Sequence, residues 1–275
     1  MKRFVFMISD GTGITVESLG NSLMTQFEGL EFQKQTIPFT DTIQKANDVI
    51  AQINQCHINT KIKPIVFTTL VNPEISACMN TANAFVLDLF NTFLAPLEKE
   101  LGKKSSDTIG RAHGVANTKA YDQRIEAVNY ALTYDDGSKL RGYEKADIIL
   151  VGVSRCGKTP SCLYMALQYG ILAANYPFTD DDLFDVHQAF QLPEALKPYK
   201  NKLFGLTIDT QRLQHIRTER RPNTIYSSME QCRMEVALVE TMYEKEKIPY
   251  INSTRFSIEE ISAKIMASAS LQRKI

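Results

Sequence analysis

The chain has 275 residues, 44% of them hydrophobic and 23% charged, which supplies a large core and fits two lobes or one extended α/β domain. Its 31 basic and 31 acidic side chains cancel to a formal net charge of zero, which excludes nucleic-acid binding through general positive charge. No apolar run approaches the length of a membrane-crossing helix, so a soluble protein with no membrane partner is expected.

The start, MKRFVFMISDG, has only five consecutive apolar residues, too few for a signal-peptide core, and predicts a buried first strand over 4–8. SDGTG then turns into a helix, ITVESLGNSLMTQF. IVFTTL at 65–70 predicts a second buried strand, and Asn72-Pro73 opens a helix. FVLDLFNTFLAPLEKEL, from 85, predicts another helix with a kink or break at Pro96. GKKSSDTIGRAHG at 102–114 is the best internal linker. RIEAVNYALTY is helical by its Ile125, Val128, Leu132 spacing, and DDGSKLRGYEK is rich in turns. A strand then restarts at ADIILV, followed by strands in 171–176, 202–208 and 248–252. The last helix, from 258, carries a capping box of Ser257 and Glu260. Buried strands alternating with helices predict an α/β fold of mostly parallel sheet. An N-terminal α/β lobe over 1–145 and a P-loop lobe over 146–275 are expected.

The most informative stretch is GVSRCGKTP, set between a strand and a helix. Gly152, Gly157, Lys158 and Thr159 match G-x-x-x-x-G-K-[ST] at every fixed position. In such a loop the glycines let backbone N–H groups point inward, and the following helix adds its positive end. Gly152, Val153, Ser154, Arg155, Cys156, Gly157, Lys158 and Thr159 would therefore bind the phosphates of a nucleotide. Lys158 supplies a mobile charge, and the Thr159 hydroxyl a ligand for Mg2+. Pro160 suits the first turn, Cys162, Leu163, Ala166 and Leu167 give the helix a buried face, and Gly170 ends it. A glycine turn with a surface lysine is the plain alternative.

Five cysteines, at 56, 78, 156, 162 and 232, form no C-x-x-C pair and have no zinc-ligand spacing. A reduced, cytoplasmic setting without disulfides follows. Cys156 has no histidine near it in sequence and reads as a small loop residue rather than a nucleophile.

Further residues bear on the chemistry. Asp209 ends the apolar strand LFGLTI and either holds magnesium or caps the helix TQRLQHIR. Arg212, Arg217, Arg220 and Arg221 either close over a nucleotide or form a solvated face. Asp135 and Asp136 either orient a hydroxyl as paired carboxylates or make a D-G turn. SDGTG at 9–13 is either a second anion or protein-docking loop, or a tight turn. Arg111 and His113 make a further anion site imaginable.

Taken together, ISDGTGIT (8–15), RAHG (111–114), YDQRIEAVNYAL (121–132), DDG (135–137), GVSRCGKTP (152–160), AANYPF (173–178), KLFGLTID (202–209), QCRMEVA (231–237), INST (251–254) and SIEEI (257–261) resemble the bacterial phosphoenolpyruvate synthase regulatory proteins. These are relatives of the pyruvate, phosphate dikinase regulatory proteins. The Cys-Gly before Lys158 is similar to the synthase branch. Tyr134 departs from the family, which commonly has histidine before DDG. The resemblance implies a bifunctional homodimer acting on phosphoenolpyruvate synthase. It would phosphorylate a threonine of that enzyme with ADP as donor, and remove the phosphate with inorganic phosphate as acceptor, releasing pyrophosphate. Lys158 would stabilise the transferred group, and either Asp135 or Asp209 would orient or deprotonate the hydroxyl. Two rival readings of the loop are a P-loop kinase of small metabolites, using ATP, and a nucleotide sensor without catalysis.

Overall fold

The computed structural model describes residues 2–106, 118–137, 139–184 and 190–275. Arg111, His113 and most of the expected linker lie outside them. The chain divides into two compact units, Met1–Ala116 and Asn117–Ile275.

In the first unit, strand β1 (Lys2–Ser9) is the hub of a parallel sheet in the order β2-β1-β3-β4, with β2 Glu31–Ile37, β3 Ile65–Thr69 and β4 Phe85–Asp88. Alternation along β1 divides its side chains between two cores. Phe6 and Ile8 join a cluster with Val49 and Ile53 of helix α2 (Ile43–Thr60). Val5 and Met7 join Val16 and Met24 of helix α1 (Ile14–Met24) on the other face. Asn72 caps helix α3 (Pro73–Met79) by accepting from the Glu74 and Ile75 N–H groups, with Pro73 in the first turn, as Asn-Pro predicts.

The expected helix from 85 begins instead as a strand. Phe85–Asp88 pairs with β3, and the Asp88 carboxylate then accepts from the Asn91 N–H to start helix α4 (Leu89–Leu101). An aspartate that can cap splits the apolar run in two. Pro96 does not end α4, which continues to Leu101. The carbonyl deprived of its partner is that of Thr92, an exposed residue.

The second unit repeats the topology. Strand β5 (Ile148–Gly152) is the hub of a parallel sheet ordered β6-β5-β7-β8, with β6 Ala173–Pro177, β7 Leu203–Thr207 and β8 Tyr250–Asn252. Helices α5 (Thr118–Thr133), α6 (Lys158–Tyr169), α7 (Asp180–Phe184), α8 (Thr210–Arg220), α9 (Met229–Glu246) and α10 (Ile258–Ser268) belong to this unit. All five residues of β5 are buried, as a hub strand covered on both faces requires.

The boundary falls earlier than the expected 145/146. Ala127, Tyr130 and Ala131 of α5 are buried in the same core as β5, and the Tyr130 hydroxyl donates to the Gly142 carbonyl at 2.9 Å. Tyr134 packs against Tyr130 with ring centroids 4.4 Å apart and the ring planes tilted by 46°. The buried stripe of α6 is Lys158, Ser161, Cys162, Met165, Ala166 and Tyr169. Leu167, expected inside, is 47% exposed because it lies off that stripe. Gly170 closes α6 at φ 67°, and the Ser257–Glu260 capping box forms at α10. No described helix is long and apolar enough to cross a membrane.

Candidate functional site

A parallel sheet ordered with its first strand beside its third opens a crevice at the carboxyl end of those strands. In the second unit the loop after β5, from Val153 to Gly157, stands at that position. Gly152 has no room for a side chain, since a Cβ there would lie 2.4 Å from the Leu206 carbonyl oxygen. Gly157 adopts φ 100° at the entry to α6, a conformation that costs glycine little. No side chain caps α6, so the N–H groups of its first turn have no intrahelical acceptor.

The loop's carbonyls are held by donors from several elements. Lys158 is 4% exposed and donates to the Gly152 and Val153 carbonyls at 3.0 and 2.8 Å. Ser253, just after β8, donates to the Cys156 carbonyl at 2.9 Å. Arg217 of α8 donates to the Ser154 carbonyl at 3.2 Å. With these carbonyls engaged, the donors the loop can turn to an anion are backbone N–H groups and the Lys158 ammonium, which is held only by neutral acceptors.

The DDG turn packs against this loop. The Thr159 hydroxyl donates to Asp135 Oδ1 at 2.8 Å, and Asn175 of β6 donates to the same oxygen. Asn175 also accepts from the Asp136 N–H at 3.1 Å, which holds Asp136 at φ 52° in a left-handed turn that aspartate tolerates. A cavity of about 100 Å³ is lined by Asp136, Lys158, Thr159, Ser154 and Arg155. One carboxylate, a hydroxyl and a lysine thus line one small cleft, and the hydroxyl is bonded to a second carboxylate, that of Asp135. Asn175 was not singled out among the sequence candidates. The signal available was a lone amide in the apolar run ILAAN.

Asp209 is not among the residues that line this cleft. Its carboxylate accepts from the Gln211 and Arg212 N–H groups at 2.9 and 3.3 Å, the cap of α8. Arg212 is exposed. Arg217 is fully buried, and it donates to both carboxylate oxygens of Glu235 on α9, at 3.0 and 2.6 Å. Burial disfavours its charge, and the bonds to Glu235 outweigh that, so its pKa lies above the ordinary value. Arg220 and Arg221 border a second cavity, of about 190 Å³, with Ser154, Arg155 and Tyr226.

In the SDGTG loop Asp10 is buried, and its carboxylate accepts from the Val71 N–H at 2.6 Å. Burial raises its pKa. A buried acid tied to the β3–α3 loop makes this turn a poor cradle for an anion. A larger cleft, about 610 Å³, lies on the β1, β2 and α2 side of the first unit, and Lys34 is its one charged lining residue. Volume therefore points away from the convergent chemistry, and the chemistry is the better guide. Among the described residues no group of three His, Cys, Asp or Glu side chains is arranged to hold a metal.

Cys156 is buried inside the loop, and burial pushes its thiol pKa up. Cys162 and Cys232 are buried too, whereas Cys56 and Cys78 are half-buried. Under native conditions a maleimide is expected to label Cys56 and Cys78 first, and the other three only after denaturation. Mass spectrometry of the labelled peptides reads this. Native labelling of Cys156 at a comparable rate would show a reactive loop thiol.

A family model described as kinase/pyrophosphorylase matches residues 5–266. A protein of Legionella pneumophila (strain Corby) is 66% identical over 275 residues, covering 100% of both chains. One of Hahella chejuensis is 52% identical over the same span, again 100% of both. One of Pseudomonas fluorescens is 54% identical over 274 residues, covering 100% of this chain and 99% of its own. Each carries the provisional name phosphoenolpyruvate synthase regulatory protein.

Proposed function

The chain belongs to the kinase/pyrophosphorylase family, and from that premise we propose that it phosphorylates a threonine of phosphoenolpyruvate synthase with ADP and reverses this with inorganic phosphate. The names of its relatives support the partner. The observation that carries the chemistry is the docking of the DDG turn on the loop, through Thr159 and Asp135 at 2.8 Å. It sets both acids of the turn against the loop, Asp136 lining the cleft and Asp135 bonded to Thr159.

In this reading the N–H groups of the loop and first turn of α6 hold the terminal phosphate of the diphosphate. Lys158 turns from its two carbonyls to the terminal phosphate and stabilises the charge that develops there. Asp136, which lines the cleft beside Lys158, accepts the threonine proton as the hydroxyl attacks. Asp135 fixes Thr159, and that hydroxyl–carboxylate pair would hold magnesium together with phosphate oxygens. The metal would supply charge neutralisation on the phosphates. Asp209 keeps its cap and takes no part. The homodimer implied by the resemblance belongs to the same proposal.

Incubating the protein with the synthase and β-labelled ADP, and then adding phosphate, tests this. Label should enter a threonine of the synthase and leave as pyrophosphate. Transfer from ATP to a small molecule without the synthase would replace the reading with a metabolite kinase. Nucleotide binding with no phosphothreonine would replace it with a sensor. Asp135→Asn and Asp136→Asn are each expected to lower transfer about 10²–10⁴-fold, while Asp209→Asn, still a good cap, leaves it within about twofold.

A further inference from the structure

Three arginines beside the loop are left without partners by the reading above. Arg155, Arg220 and Arg221 line the cavity of about 190 Å³ together with the Ser154 and Tyr226 side chains. No carboxylate lines it. None of the three guanidiniums has an ion-pair or hydrogen-bond partner among the described residues, in contrast to Arg217 nearby, whose charge is matched by Glu235. The wall is built rather than incidental. Tyr226 is held by its carbonyl, which accepts from Arg217 at 3.1 Å, and by its ring, 4.2 Å from the Arg217 guanidinium. Its hydroxyl bonds Ser154 Oγ at 3.1 Å. Ser154 and Arg155 also line the cleft that holds Lys158, Thr159 and Asp136, so the two cavities share a wall.

We propose that this arginine cavity is the subsite for the phosphate that is not transferred. It would hold the α-phosphate of ADP in one direction and free inorganic phosphate in the other. The proposal rests on the kinase and phosphorylase reading, and the chemistry of the two reactions makes it economical. In the forward reaction the threonine oxygen bonds the β-phosphorus, and the bridge oxygen leaves on the α-phosphate as AMP. The threonine proton departs through the carboxylate. In the dephosphorylation an oxygen of HPO4 2− bonds the phosphothreonine phosphorus, the P–O bond to threonine breaks, and the proton of the attacking phosphate ends on the threonine oxygen. Pyrophosphate is the product. Both reactions exchange threonine for a second phosphate at one phosphorus, so AMP and inorganic phosphate play the same part. Two adjoining subsites, one with lysine and acids and one with arginines alone, fit a P–O–P unit laid across their shared wall.

The test is the double variant Arg220→Gln/Arg221→Gln. Losing two charge-assisted contacts should raise the KM for inorganic phosphate about 10- to 100-fold, with kcat changed far less. In the unaltered protein AMP should inhibit dephosphorylation competitively against phosphate. A KM for phosphate within twofold of the unaltered value in the folded variant would overturn the proposal, as would AMP inhibition that phosphate cannot relieve. Calorimetry with inorganic phosphate and with pyrophosphate on the full chain needs no partner protein. Both should bind more weakly to the double variant, and phosphate should still bind Lys158→Ala. Unaltered phosphate affinity in the double variant counts against the subsite. If the unaltered protein shows neither transfer nor pyrophosphate release, the functional reading fails, and calorimetry still decides whether the cavity holds phosphate.

Discussion

Lys158→Ala is expected to lower ADP-driven phosphorylation of the synthase by at least about 10²–10³-fold, with the fold retained. Removing one donor that stabilises transition-state charge typically costs that much, and Lys158 is the cation of the loop itself. The residue is 4% exposed, yet its ammonium is bonded only to neutral acceptors, the Gly152 and Val153 carbonyls and the Cys156 sulfur at 4.0 Å. Carbonyls are weaker acceptors than a phosphate dianion, so a nucleotide draws the ammonium onto itself. The substitution also carries a structural penalty. The Gly152 and Val153 carbonyls, both of buried residues, lose a donor, worth about 1–3 kcal/mol each. A thermal melt therefore separates the effects. A melting point within a few degrees of the unaltered protein, with transfer lost, places Lys158 in the chemistry. Transfer at the unaltered rate would take the loop out of the mechanism.

The sequence showed the parts of the fold whose physics is local. The hub strands were legible because they are buried on both faces and read as unbroken apolar runs. The loop was legible because a backbone cradle needs glycine at fixed places. Strand β2 and helix α2 were missed. β2 is an edge strand, EFQKQTI, mostly exposed and polar, so no apolar run marks it. α2 shows its core face only through Ala46, Val49, Ile50 and Ile53, diluted by polar residues between them. The site was half legible for a related reason. Lys158 and Thr159 announce themselves by spacing, whereas the docking of Asp135 on Thr159 depends on α5 packing beside α6 and on Asn175 in β6. Those are contacts between elements distant in sequence. Asp209 stood open between metal ligand and cap, and the hydrogen bonds from Gln211 and Arg212 show the cap.

Glu235→Ala is expected to destabilise the second unit by about 3–5 kcal/mol, the usual cost of stranding one member of a buried ion pair. Neither side chain has a way out. Arg217 is 0% exposed at its side chain and Glu235 7%. Without Glu235 the guanidinium keeps the Tyr226 and Ser154 carbonyls, at 3.1 and 3.2 Å, the Cys232 sulfur at 3.9 Å and the Tyr226 ring, none of them charged. For a unit of this size the loss corresponds to a melting point lower by about 6–20 °C. The effect should also reach the loop, because the guanidinium that Glu235 orients is the one that holds the Ser154 carbonyl. Nucleotide affinity measured well below the new melting point should fall with stability, and by more than for a core variant of equal cost such as Val239→Ala in the same helix. Arg217→Met/Glu235→Leu removes both charges, and should recover much of the stability but not the affinity, since the Ser154 carbonyl stays without its donor. A melting point for Glu235→Ala within about 2 °C of the unaltered protein would mean that the pair is hydrated and does not brace the loop.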